Sequence, residues 1–182
     1  ELTTGFLFTL TYIHFFPLSS SPSPLRGEGW GEGLYLLTFF IYISFLIIIF
    51  AQDFRWMVIL DIITIPGIIV AFILNVFLGY DWMSLIFGGI IGGVFFLSQY
   101  LLSQGRWIGG GDIRLGFLMG VMLGWKYVLV ALFLSYIIGA IVSLFLISLR
   151  IKKFSNKIPF GTYLSISTVF TLLYGEKILN WY

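Results

Sequence analysis

Long apolar stretches separated by short polar breaks organise most of this chain. Residues 34–52 form one continuous apolar run, and 62–79, 84–104 and 160–179 form three more. The stretch 112–149 exceeds what one crossing of a hydrocarbon core roughly 30 Å thick requires, about 20 residues. It is expected to break near Gly124, Trp125 and Lys126 into two helices. Pro66 stands near the start of its segment, where a missing backbone donor is tolerated. Gly88, Gly89, Gly92 and Gly93 share another segment, and small residues at such spacing let helices approach closely. The pattern predicts six helices within 34–182 and a partial one over 3–17.

Composition turns these helices into membrane helices. The chain is 59% hydrophobic and only 10% charged, with a mean hydropathy of +1.04, whereas soluble domains carry about 25% charged residues. Too little polar surface exists to cover a soluble globule. The expected fold class is all-α, a polytopic transmembrane helical bundle of about 6–7 membrane helices. Residues 18–33 (LSSSPSPLRGEGWGEG) have the composition of a linker. The expected organisation is a partial N-terminal membrane helix at 1–17, the linker at 18–33 and a six-helix core at 34–182. Glu1 is not an initiator methionine, which reads as a fragment or a processed product, and 3–17 lacks the basic start and cleavage site of a secretory signal. Without cysteine there is no disulfide framework and no Cys-based metal site; no metal ligand set is expected. The single histidine, His14, reads as a packing or interfacial side chain. The basic residues are scattered and the net charge is +2, so no nucleic-acid partner is expected.

Lys and Arg set the orientation. With the loop after 34–52 placed in the cytoplasm, Arg55, Arg106, Arg114, Arg150, Lys152, Lys153 and Lys157 fall on that side, and only Arg26, Lys126 and Lys177 fall outside. The same orientation puts Asp53, Asp61 and Asp112 together on the cytoplasmic side. Their co-location is independent of the bases that defined it.

Glu28, Glu32, Asp81 and Glu176 have an ordinary solvated reading. Asp53, Asp61 and Asp112 lie at the edges of apolar helices, where a charge costs about 2.5–3.5 kcal/mol at full depth and less near the interface. Taken singly, each has a bland alternative: a capping Asp, or a partner for Arg55 or Arg114. Asp112 stands out because it follows Gly109, Gly110 and Gly111 and opens a helix (GGGDIRLGFLMG). Glycines let another chain approach closely. A second carboxylate within about 3 Å would share one proton with it, so that one acts as general base on water and the other as general acid.

These residues resemble the motifs of the type IV prepilin leader peptidases, the bacterial branch of the GxGD aspartyl proteases. DFRWMVILDIITIP is similar to the family's Asp-x-Arg…Pro-Asp…Thr-x-Pro pattern, with Asp53 in the first catalytic place, Asp61 in the second acidic place and Leu60 where Pro is usual. Gly109, Gly110, Gly111 and Asp112 resemble the GxGD motif, with Arg114 where a Lys usually stands. Ile158, Pro159, Phe160 and Gly161 resemble Ile-Pro-Phe-Gly-Pro, with Thr162 replacing the last Pro, and the opening Glu1–Gly5 stretch resembles the lead into a family helix.

The resemblance implies a membrane aspartic endopeptidase that cleaves the leader of type IV prepilins or pseudopilins. Asp53 and Asp112 would be the catalytic pair, supported by Gly109, Gly111, Asp61, Arg114, Pro159 and Gly161. It implies the bacterial inner membrane, an active site facing the cytoplasm, membrane lipid as surroundings and no cofactor for proteolysis. S-adenosylmethionine would enter only with N-methylation, which goes with a family N-terminal helix and cytoplasmic domain that this sequence does not contain. Two other readings stay open: a truncated inactive remnant, and an ion- or proton-coupled transporter that would show broken helices and an internal repeat.

Overall fold

A computed structural model describes residues 30–149 and 159–181. Five helices are described: α1 (Trp30–Trp56), α2 (Asp61–Phe77), α3 (Trp82–Ser103), α4 (Gly110–Ser148) and α5 (Phe160–Trp181). Among them α1, α3 and α4 are long and apolar enough to cross a membrane, and α2 is a shorter apolar helix. Large apolar side chains such as Phe77, Phe133, Leu102 and Leu144 point outward, while Thr162, Ser165, Ser167, Thr168 and Thr171 of α5 are buried. That distribution suits a bundle surrounded by lipid. The buried hydroxyls of Ser165, Ser167 and Thr168 donate to Gly161, Leu164 and Leu164 carbonyls of their own helix, so they enter the apolar interior already satisfied.

Helix α4 spans 39 residues and breaks at Gly124, whose φ of 76° and ψ of 172° are non-helical. A straight helix of that length would measure about 58 Å, nearly twice the hydrocarbon core. The break, where the sequence predicts it, folds the second arm back, so that Tyr136, Gly139 and Ser143 return to the end of the bundle that holds Asp112. A break of this kind strands the carbonyls of Val121 and Met122, whose i+4 partners lie beyond it. Asn75 of α2, buried, donates its amide to both, at 2.7 and 3.3 Å. Asn75→Leu should therefore cost about 1–3 kcal/mol through unsatisfied buried carbonyls, measured as reduced resistance to unfolding in detergent micelles; unchanged stability would show the amide to be dispensable.

Helices α3 and α4 make the closest pair. A methyl group at Gly92 would overlap the Gly116 carbonyl oxygen, and one at Gly88 or Gly120 would overlap the other's backbone. The glycine run of α3 thus meets Gly116 and Gly120 of α4, backbone to backbone. Leu115, Leu118, Met119 and Val128 of α4 then close the core with Phe96, Leu46, Ile49 and Leu164.

Several boundaries differ from the sequence expectation. The count of 6–7 exceeds the five helices described; the break in α4 supplies a sixth segment, and the expected helix over 3–17 lies outside the described residues, as does His14. Residues 30–33, assigned to the linker, belong to α1, because a helix that begins satisfies its own backbone even through glycines. At its other end α1 runs through Trp56, so Asp53 sits in its last turn rather than after it. Helix α4 starts at Gly110, which makes Asp112 its third residue. Asp81 caps α3, accepting from the Met83 and Ser84 N–H groups at 3.2 Å each.

Candidate active site

One end of the bundle gathers the end of α1, the end of α3, the start of α4 and the start of α5 around a cavity of about 630 Å³. Asp53 and Asp112 both line it, with Gly109 and Pro159. Both carboxylates are buried, at 4% and 8% exposure.

Each carboxylate is held by a helix N-terminus, where backbone N–H groups lack partners within the helix. Asp112 uses its own helix. Its Oδ2 accepts from the Gly109 N–H at 3.0 Å, one half of the reciprocal arrangement that closes a first turn. Asp53 uses another. Its Oδ2 accepts from the Thr162 N–H at 2.7 Å and from the Thr162 hydroxyl at 3.1 Å, across 109 residues of sequence. A negative charge is favoured at such a position by the partial positive charge of the helix end.

Ile59, in the connection between α1 and α2, wedges the two halves together. A methyl group at Gly111 would come within 2.8 Å of its Cβ, and one at Gly161 within 2.8 Å of its Cδ1. The Gly161 methyl would also stand 3.0 Å from the Asp53 carboxyl carbon. Glycine is required at both places by close approach. The cavity wall opposite is aromatic: Tyr136 stacks at a tilt on Phe160, 5.0 Å between ring centres, and donates to Gln99 Oε1 at 2.7 Å.

Of the residues singled out in the sequence, the structure thus brings together Asp53, Asp112, Gly109, Gly111, Pro159 and Gly161. Asp61 and Arg114 form an ion pair with each other, both about half exposed, and neither lines the cavity. A pair that exposed contributes about 0–1 kcal/mol. Thr162 and Ile59 were not among the expected site residues. Thr162 carried a signal, as a departure from the motif that ends on Pro; Ile59 carried none, because a single Ile in an apolar chain does not announce which glycines it will meet.

The family described as the type IV leader peptidase family matches residues 40–144. The prepilin leader peptidase/N-methyltransferase of Aeromonas salmonicida (strain A449) is 33% identical over 159 residues, covering 85% of this chain and 53% of the relative. That of Aeromonas hydrophila is 31% identical over 170 residues, covering 91% and 57%. That of Bacillus subtilis (strain 168) is 28% identical over 186 residues, covering 100% and 67%. The chain spans about half the length of the Aeromonas relatives. No solved structure matches it.

Proposed function

This chain belongs to the type IV leader peptidase family, and from that premise we propose that it is an aspartic endopeptidase acting on the leaders of type IV prepilins or pseudopilins, with Asp53 and Asp112 as its catalytic pair. The observation that carries the proposal is the meeting of two buried carboxylates, from α1 and α4, in one cavity at one end of the bundle. Water bound between them loses a proton to one carboxylate as its oxygen attacks the scissile carbonyl carbon. The other carboxyl protonates the amide nitrogen as the C–N bond breaks.

Arg55, Arg106 and Arg114 lie at the cavity end, whereas Lys126 follows the Gly124 break and Lys177 lies near the end of α5. By the preference of basic residues for the cytoplasm, the cavity faces inward at the bacterial inner membrane, where a leader that has not crossed is still within reach. Exposed Trp56 and Trp107 flank that rim, as amphipathic rings do at headgroup level. The transporter reading gains nothing from the broken helix, since Asn75 occupies the carbonyls it frees. The inactive-remnant reading differs from the proposal in the result of one experiment. Expressed with a prepilin in cells deprived of their own peptidase, this chain should convert the precursor to its mature length; a precursor left uncut would refute the assignment.

Two of the three glycines before Asp112 should separate in the same assay. Gly110 has nothing within 4 Å of where a methyl would go, while Gly111 faces Ile59. Gly110→Ala should stay within about twofold of the parent, and Gly111→Ala should lose about 100-fold, the scale set by displacing a reacting group by 1 Å. Equal effects at the two positions would contradict the wedge.

A further inference from the structure

The two carboxylates are not held alike. Asp53 Oδ2 receives two donors, the N–H and the hydroxyl of Thr162, and Thr162 is itself buried. Asp112 Oδ2 receives one, from the Gly109 N–H. Donors aimed at a carboxylate favour its charged form. A buried threonine in a helix ordinarily turns its hydroxyl back to a carbonyl of its own helix, as Thr168 does to Leu164. Thr162 instead gives both of its donors to a residue of another helix. A proline in its place, as in the motif this stretch resembles, would give neither.

We infer that Thr162 is a positioning residue that holds Asp53 as the ionised member of the pair and leaves the shared proton on Asp112. On the peptidase reading, from which this follows, Asp53 takes the proton from water and Asp112 delivers one to the leaving nitrogen. The assignment concerns which oxygen is charged at rest, so it has a readout that needs no catalysis.

A hydrophobic carbodiimide couples to protonated carboxyl groups, and peptide mass mapping of the full chain in detergent micelles reports where. Asp112 should be modified and Asp53 largely spared. Thr162→Val keeps the N–H and the volume but loses the hydroxyl, and should raise modification of Asp53 roughly tenfold, the scale of one hydrogen bond to a charged group. Thr162→Ser should return it to the parent level. In cleavage assays Thr162→Val should lower kcat roughly tenfold with KM within about twofold, and Thr162→Ser should restore kcat. Modification of Asp53 equal to Asp112 in the parent chain, or Val and Ser variants that behave alike, would overturn the inference. A parent chain that labels as expected and cuts no leader would remove the peptidase reading and leave the proton assignment standing.

Discussion

Replacing Asp112 with Asn should lower leader cleavage by about 10²–10⁴-fold, the contribution usual for a positioned acid or base, with unfolding in detergent essentially unchanged. The side-chain oxygen of Asn can still accept the Gly109 N–H that Asp112 Oδ2 accepts at 3.0 Å, so the first turn of α4 keeps its closure. What disappears is the exchangeable proton. Asp53→Asn should have an effect of the same order, because its amide oxygen can still accept from Thr162 but no longer takes a proton from water. Two groups that act as one unit do not lose activity additively. The double variant should therefore be no slower than the slower single one. Single-turnover cleavage of a leader peptide in micelles measures all three; a single variant retaining more than about a tenth of the rate would exclude that carboxylate from the chemistry.

The largest stability effect is expected far from the carboxylates, at Gly120. A Cβ there would overlap the Gly88 carbonyl group and the Gly89 nitrogen. Those are backbone atoms of a packed helix, which cannot swing aside as a side-chain tip can. Overpacking a close contact costs about 1–3 kcal/mol and occasionally more, and Gly120→Val should reach or exceed the upper end. Gly33→Val is the matched control, since nothing lies within 4 Å of its added Cβ; its effect should stay within about 0.5 kcal/mol. Unfolding midpoints in micelles and the monodisperse fraction after solubilisation would compare them. Equal behaviour would mean that α3 and α4 do not touch as described.

Helices could be located because an apolar run must satisfy its backbone within itself once water is gone, a local condition. The break at Gly124 was legible for the same reason, since 39 residues do not fit one crossing. Ends were less so: α1 begins four residues before the expected start, because helix termini respond to neighbours as well as to composition. Asp61 shows a further limit. Its place in a motif suggested company for Asp53, but only coordinates reveal that it turns to Arg114 at the surface.

Sequence alone determined that the chain is a bundle of apolar helices, that its acidic residues of interest stand at helix ends, and that these ends share a side. Each follows from the cost of charge and bare backbone in hydrocarbon, which is set residue by residue. Tertiary structure decided the rest: that α5 presents Thr162 to Asp53, that Ile59 joins Gly111 to Gly161, and that Asn75 heals the break in α4. Those contacts join segments 46 to 109 residues apart or depend on a single side chain's direction, and which surfaces meet is settled by how helices pack, not by the pattern along any one of them.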